Sequence, residues 1–156
     1  MALTVGDKAP DFELTWKIGS EPLKRSTYQN GETLAVFFFP LAFSGVCTEE
    51  MCTLAEDLSA YSDLGARVVG ISVDSPFVNA KFAAECGADF PILSDFNTDA
   101  SEAFGVRNAD FFGMNGVSDR SVFVIDGEGT VRYAWVGADP GIMPDFDEIK
   151  QAISAI

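Results

Sequence analysis

The fold of this chain is decided by one segment, Thr33-Leu34-Ala35-Val36-Phe37-Phe38-Phe39-Pro40-Leu41-Ala42-Phe43-Ser44-Gly45-Val46-Cys47-Thr48. Its first seven residues form an almost unbroken apolar run, which is typical of a strand buried on both faces of a sheet. Pro40 ends the strand because it lacks a backbone N–H donor. A loop that contains Gly45 follows, and a helical pattern begins at about Cys47. The segment therefore predicts a strand, a loop and a helix, with Cys47 in the first helical turn.

Strands of the same apolar character are expected at three other places, residues 67–73, 121–125 and 131–135. Apolar residues at 3- and 4-residue spacing predict helices at 48–61, 76–86, 100–104 and 146–156. Strands and helices that alternate in this way favour a layered α/β domain. The last two strands are joined by Asp126-Gly127-Glu128-Gly129, which is short enough for an antiparallel hairpin. The sheet is therefore expected to be mixed.

Length and charge limit the classes of protein to consider. The chain has 156 residues, of which 47% are hydrophobic, so a single domain over residues 1–156 is expected. Its formal net charge of −14 disfavours nucleic acid and anionic membrane surfaces as partners. No apolar run approaches the roughly 20 residues that span a bilayer. The first residues contain no basic leader, and we expect a cytoplasmic protein.

The chain contains three cysteines and no histidine. An odd number of cysteines without a secretory signal is a poor disulfide framework, so reactive or buried thiols are expected. The absence of histidine excludes Cys-His proteases, Ser-His hydrolases and ordinary imidazole metal sites. We therefore expect chemistry that uses Cys, carboxylates or Arg, with neither a cofactor nor a metal ion.

Cys47 is the strongest candidate for a reactive residue. At a helix start, unpaired backbone N–H groups and the positive end of the helix dipole favour a thiolate, which is the nucleophilic form. Together with Pro40 and Ser44 it spells Pro-x-x-x-Ser-x-x-Cys. Here the sequence resembles the peroxiredoxin family, whose signature is Pro-x-x-x-Thr/Ser-x-x-Cys. The resemblance implies a thioredoxin fold and a thiol-dependent peroxidase, either monomeric or homodimeric.

The resemblance extends over nearly the whole chain. Asp119-Arg120-Ser121-Val122-Phe123 corresponds to the segment that supplies the family's active-site arginine, which we carry onto Arg120. Other matching segments are Gly6-Asp7-Lys8-Ala9-Pro10-Asp11-Phe12, Val69-Gly70-Ile71-Ser72-Val73-Asp74, Phe90-Pro91-Ile92-Leu93-Ser94-Asp95 and Phe104-Gly105-Val106. Within the family, residues 39–47 are most similar to the alkyl hydroperoxide reductase E type. Cys52 points instead toward the bacterioferritin-comigratory (Q) type.

The family resemblance implies a role for each residue of this group. The Cys47 thiolate would attack a hydroperoxide, release an alcohol or water, and become a sulfenic acid. Arg120, a permanent cation, and the Ser44 hydroxyl would hold the peroxide oxygens and stabilise the leaving one. Pro40 would stiffen the loop. Glu50 is either a partner of Arg120 or an exposed helix carboxylate.

The sulfenic acid must be resolved by a second thiol, and the sequence leaves three candidates. Cys52 lies five residues along the same predicted helix, where Cα atoms are roughly 8 to 9 Å apart. A disulfide tolerates less than about 7 Å, so resolution by Cys52 requires the first helical turns to unwind. The alternatives are Cys86 in the next helix and an external thiol, such as a thioredoxin-like reductant. Either internal cysteine could instead be a small buried apolar residue.

Three other functions fit parts of this pattern. A thioredoxin-like disulfide oxidoreductase is disfavoured because four residues, rather than two, separate Cys47 from Cys52. A peroxide-sensing relay protein would oxidise once and wait for its partner, whereas a peroxidase turns over. A non-catalytic structural module would lose no activity when Cys47 is replaced.

The acidic surface predicts a host cytoplasm of high salt. At 1 M salt, charges are screened over about 3 Å, which removes most of the self-repulsion of a strongly acidic protein. We expect the melting temperature, followed by circular dichroism, to hold or rise as KCl is added to molar concentration. A lower melting temperature in molar KCl would contradict the hypothesis.

Overall fold

The computed structural model describes all residues from 1 to 156. Its strands are, in chain order, β1 (Glu13–Leu14), β2 (Leu23–Lys24), β3 (Thr33–Phe38), β4 (Ala66–Ser72), β5 (Ile92–Ser94), β6 (Arg107–Asn108), β7 (Val117–Ser118), β8 (Ser121–Ile125) and β9 (Val131–Val136). Its helices are α1 (Arg25–Gln29), α2 (Gly45–Glu56), α3 (Leu58–Asp63), α4 (Pro76–Cys86), α5 (Asp99–Ala103) and α6 (Phe146–Ser154). No helix has both the length and the apolar character needed to cross a membrane.

A five-stranded sheet in the order β5-β4-β3-β8-β9 forms the centre of the molecule. The β3–β4 and β4–β5 pairs are parallel, whereas the β3–β8 and β8–β9 pairs are antiparallel. The prediction of a mixed α/β sheet with a terminal hairpin is therefore confirmed. Two short two-stranded sheets, β1-β2 and β6-β7, lie outside the central sheet.

Alternating side chains of β3 enter two separate core layers. Phe37 lies in a cluster of 16 buried residues, together with Met51 of α2 and Phe82 of α4. Phe38 lies in a second cluster of 14, where it packs against Phe104 at the end of α5. The central strand is buried on both faces because helices or loops cover both sides of the sheet. The helix that carries Cys47 is thus fixed to the sheet by its apolar side.

The helix predicted at 48–61 differs most from the structure. It begins earlier, at Gly45, and it is divided into α2 and α3 because Asp57 (φ −103°, ψ 11°) leaves helical geometry. The other predicted strands and helices agree with the structure to within two residues at each end. The strand β5 was not predicted, since three residues are too few for a periodic signal.

A polar chain joins α4, the sheet and the loop that precedes α2. Asn79 is fully buried and donates from Nδ2 to the Leu93 carbonyl at 3.1 Å. The Ser72 hydroxyl lies 3.0 Å from Asn79 Oδ1 and 2.8 Å from Asp74 Oδ2. The same Asp74 oxygen accepts a hydrogen bond from the Ala42 N–H at 2.7 Å. The loop before Cys47 is therefore held by hydrogen bonds that extend into the core.

Replacing Asn79 by Ala is expected to lower the free energy of unfolding by about 2 kcal/mol, because it removes the buried hydrogen bonds to the Leu93 carbonyl and the Ser72 hydroxyl. Denaturant titration measures this change. The matched control is Asn97→Ala, at an exposed position, which should change stability by less than about 0.5 kcal/mol. Equal effects of the two substitutions would show that the polar chain does not stabilise the fold.

Candidate active site

Cys47 is the third residue of α2 and is 1% exposed. The backbone ladder of this helix starts with the bond from the Thr48 N–H to the Ser44 carbonyl, at 2.9 Å. The Cys47 N–H precedes this first helical hydrogen bond and has no backbone acceptor, so it remains free to donate to a ligand. The thiol and an unpaired N–H of the same residue thus lie together at the positive end of the helix.

Arg120 immediately precedes β8 and is 3% exposed. Its Nη2 donates to the Cys47 Sγ at 3.3 Å and to the Pro140 carbonyl at 2.9 Å. Its Nη1 donates to Glu50 Oε1 at 2.6 Å. The guanidinium is therefore held on three sides, and one of them is the sulfur of Cys47.

Glu50 is fully buried, so the reading as an exposed helix carboxylate is wrong. One turn of α2 places its carboxylate on the same side as Cys47, where it pairs with Arg120. Burial raises the pKa of Glu50 to about 7, although the charge and hydrogen bond of Arg120 act in the opposite direction. The second oxygen, Oε2, is buried without a hydrogen-bond partner.

The electrostatics of Arg120 follow from the same contacts. Burial alone would lower the pKa of Arg120, but attraction to Glu50 and Cys47, with the hydrogen bonds to both, raises it above its ordinary value. The guanidinium thus remains a cation beside the sulfur. The cation lies 3.3 Å from the Cys47 sulfur, where its Nη2 can donate to an anionic group in the cavity.

A cavity of about 270 Å³ opens above the Cys47 thiol. It is lined by Pro40, Leu41, Ser44, Gly45, Val46, Cys47, Phe111, Phe112, Arg120, Pro140 and Gly141. The rings of Phe111 and Phe112 meet edge to face at 5.0 Å and form an apolar wall. This volume suits a small molecule, with polar groups on one side and aromatic carbon on the other.

Ser44 is the N-cap residue of α2, but its side chain makes no capping bond. Its hydroxyl donates to the Leu41 carbonyl at 2.8 Å. A hydroxyl has one hydrogen and two lone pairs, so Ser44 Oγ can only accept a hydrogen bond from a molecule in the cavity. Stabilising the leaving oxygen, the role expected of Ser44 from the sequence, would require it to donate, whereas in this geometry it accepts.

Two aromatic residues beside the site have left-handed backbones, Phe43 at φ 68° and Phe112 at φ 50°. This conformation is uncommon for a bulky residue and costs about 1 to 3 kcal/mol. Phe43 does not line the cavity, and its ring packs on Phe82 of α4 at 5.1 Å. The loop that carries Ser44 is therefore strained and is held against α4.

The other two cysteines lie together, away from the cavity. Cys52 of α2 and Cys86 at the end of α4 have their sulfurs 2.6 Å apart, and both are free thiols. Neither forms a hydrogen bond with Cys47, while the Cys86 Sγ lies 4.0 Å from the Thr48 carbonyl. Burial raises the pKa of Cys86 to about 12, and the hydrogen bond and charge of Cys52 add to the shift.

Sequence reasoning missed two contributors to this site. The Pro140 carbonyl positions Arg120, but a backbone oxygen leaves no signal in a sequence. The sequence placed Asp74 only at the end of the matching segment Val69-Gly70-Ile71-Ser72-Val73-Asp74, with no part in the site. Its carboxylate holds the loop before Cys47 instead. No group of three or more His, Cys, Asp or Glu residues is arranged to hold a metal ion.

Comparison with known proteins gives consistent results. The sequence profile described as the AhpC/TSA family matches residues 5–134. The chain is 32% identical to alkyl hydroperoxide reductase E of Mycobacterium tuberculosis, over 99% of this chain and 98% of the relative. It is 30% identical to alkyl hydroperoxide reductase C of the same organism, over 99% and 85% of the two chains.

The crystal structure of peroxidoxin BcpB from Mycobacterium tuberculosis superposes with a TM-score of 0.86 at 29% identity, and the alignment covers 97% of each chain. Both the family resemblance and the thioredoxin fold expected from the sequence are confirmed. The chain therefore belongs to the AhpC/TSA family of peroxiredoxins, which are thiol-dependent hydroperoxide reductases.

Proposed function

We propose that Cys47 is the residue of this peroxidase that attacks the hydroperoxide. The observation that carries the proposal is the 3.3 Å contact between its sulfur and the buried Arg120 guanidinium, at the base of the cavity. Neither Cys52 nor Cys86 lines that cavity or contacts an arginine through a hydrogen bond. Cys47 is therefore the cysteine whose thiolate has a cation beside it and room for a substrate.

The proposed step is an in-line displacement on the peroxide. The Cys47 thiolate forms a bond to the near oxygen of ROOH, the O–O bond breaks, and the leaving oxygen takes a proton and departs as alcohol or water. Arg120 and the Cys47 N–H donate to the oxygens on which negative charge develops. Ser44 Oγ accepts the hydrogen of the hydroperoxide group, since its own hydrogen is bound to Leu41. Cys47 becomes a sulfenic acid.

Glu50 and Pro40 support this step without reacting themselves. Glu50 accepts from Nη1 of Arg120 and so directs Nη2 toward the sulfur of Cys47. Pro40 lines the cavity and ends the extended chain after β3, which sets where the loop leaves the sheet. Both residues act by fixing the position of a group that reacts.

Cys52 is the proposed first resolving thiol. It condenses with the Cys47 sulfenic acid, releases water and forms a disulfide after the first turns of α2 have opened. Cys86 is less suited to this first attack because its raised pKa keeps it protonated. A thioredoxin-like thiol then reduces this disulfide and returns the enzyme to its starting state. The proposed enzyme is cytoplasmic and is either a monomer or a homodimer.

Replacing Cys47 by Ser should abolish the consumption of hydrogen peroxide, because no other thiol faces the cavity. Stopped-flow mixing of reduced protein with one equivalent of peroxide measures this. The matched variant Cys52→Ser should still consume one equivalent and then stop, with a Cys47 sulfenic acid that dimedone traps. Peroxide consumption by Cys47→Ser would contradict the assignment, and undiminished turnover of Cys52→Ser would contradict resolution by Cys52.

Arg120→Lys should slow the oxidation of Cys47 by about 10²-fold, since Lys loses the planar fork that contacts both Glu50 and the sulfur. The rate of peroxide consumption in a single turnover checks this. Arg132→Lys, on the exposed face of β9, is the control and should react at the wild-type rate. If the two substitutions have the same small effect, Arg120 does not act on the peroxide.

Glu50→Gln should change how stability depends on pH. Burial raises the folded-state pKa of Glu50 from 4.5 to about 7, so ionising it is unfavourable in the folded state. The wild type should therefore lose stability relative to Glu50→Gln as pH rises from about 4.5 through about 7. Denaturant titration of both proteins across this range measures the difference. A constant difference would refute the raised pKa.

A further inference from the structure

The contact between Cys52 and Cys86 has no part in the reaction described so far. Their sulfurs belong to different helices and are 34 residues apart in sequence, yet they lie at 2.6 Å. A disulfide bond is about 2.05 Å long, so the two sulfurs need to approach by only about half an ångström. Cys47 and Cys52, in contrast, are five residues apart on one continuous helix. The two thiols best placed to bond are therefore those that do not meet the peroxide.

We propose that Cys86 is a third catalytic cysteine, which takes Cys52 from the Cys47–Cys52 disulfide, so that the oxidised enzyme ends with a Cys52–Cys86 disulfide. This inference rests on the proposed roles of Cys47 and Cys52. The proposal gives Cys52 and Cys86 successive roles in one catalytic cycle, instead of treating them as alternative resolving residues.

The proposed exchange conserves atoms and electrons. Once Cys52 is in a disulfide, its hydrogen bond and charge no longer raise the pKa of Cys86. Cys86 then loses its proton to solvent, and its sulfur forms a bond to Cys52 Sγ. The bond between Cys47 and Cys52 breaks, and Cys47 leaves as a thiolate. Over the whole cycle, one hydroperoxide and the two thiols of Cys52 and Cys86 give one alcohol, one water and one disulfide. Cys47 is regenerated without an external reductant.

Contact geometry selects which sulfur Cys86 attacks. Thiol–disulfide exchange requires the incoming sulfur to reach one sulfur of the disulfide, and the outcome depends on which one it reaches. Cys86 already touches Cys52, whereas its other polar contact is the Thr48 carbonyl at 4.0 Å. Attack at Cys52 expels Cys47, and Arg120 stabilises that thiolate once Cys47 regains its place.

Recovery of the helix drives the exchange forward. A Cys47–Cys52 disulfide keeps the first turns of α2 open, because the two positions are too far apart in an intact helix. A Cys52–Cys86 disulfide joins α2 to α4 where the two helices already pack. Transfer therefore restores the backbone hydrogen bonds of the first turns and the contact of Cys47 with Arg120.

The exposure of the three cysteines also favours Cys52–Cys86 as the final disulfide. With α2 folded, Cys47 is 1% exposed at the base of its cavity and is the least accessible of the three cysteines. Cys52 and Cys86 are half-buried. Moving the disulfide to this pair places it nearer the surface and leaves Cys47 free to bind peroxide again.

The order of disulfides after one turnover tests the proposal. Reduced wild-type protein is mixed with one equivalent of hydrogen peroxide, quenched at intervals with acid and N-ethylmaleimide, and mapped by mass spectrometry without reduction. We expect the Cys47–Cys52 disulfide first and then its replacement. At equilibrium the Cys52–Cys86 form should exceed it by about tenfold or more, because the helix re-forms. In Cys86→Ser the Cys47–Cys52 disulfide should persist.

Ala83→Ser is the matched control, since Ala83 is half-buried on the same helix and packs against the same cluster. The Ala83→Ser protein should form the same disulfides in the same order as the wild type. A wild-type equilibrium with only Cys47–Cys52, or with Cys47–Cys86, would overturn the proposal. Formation of Cys52–Cys86 at the wild-type rate in Cys47→Ser would also overturn it, because the pair would then be oxidised without Cys47.

Failure of the proposed function gives a different result. If Cys47→Ser still consumes hydrogen peroxide, the assignment of Cys47 itself is wrong. If Cys47 is oxidised but the wild type never forms the Cys52–Cys86 bond, only the exchange is wrong. The wild-type time course decides this even if Cys86→Ser folds poorly.

Discussion

The placement of one buried guanidinium governs the rest of the active site. Arg120 contacts the sulfur of Cys47, a carboxylate and a backbone carbonyl, and it is only 3% exposed. A buried cation is stable only when it is paired and its donors are used. Glu50 provides the charge and Pro140 provides an oxygen. One donor group is thereby directed at Cys47, and the strand β8 fixes the arginine in the sheet.

The helix α2 has two requirements that oppose each other. In the proposed mechanism, its first turn must be folded to present the Cys47 N–H and the positive end of the dipole to the peroxide. The same turn must open if Cys52 is to reach Cys47. Met51 and Leu54 are fully buried in the core layer, which anchors the later turns while the first ones open. The proposed opening is thus confined to the end of the helix that carries Cys47.

The loop before α2 links these two states. It is held to the sheet by the Ala42 N–H and Asp74, and to α4 by the stacking of Phe43 on Phe82. Phe43 adopts a left-handed backbone at φ 68°, so this closed form stores strain.

The sequence by itself determined the mixed α/β sheet, the position of Cys47 in the first turn and the candidates around it. These follow from local signals, namely apolar runs, helical spacing, turn residues and a compact motif. Only the tertiary structure decided that Glu50 is buried against Arg120, 70 residues away, and that Cys52 meets Cys86, 34 residues away. Such contacts depend on how helices pack on the sheet, and local periodicity says nothing about which side chains from distant segments will face each other.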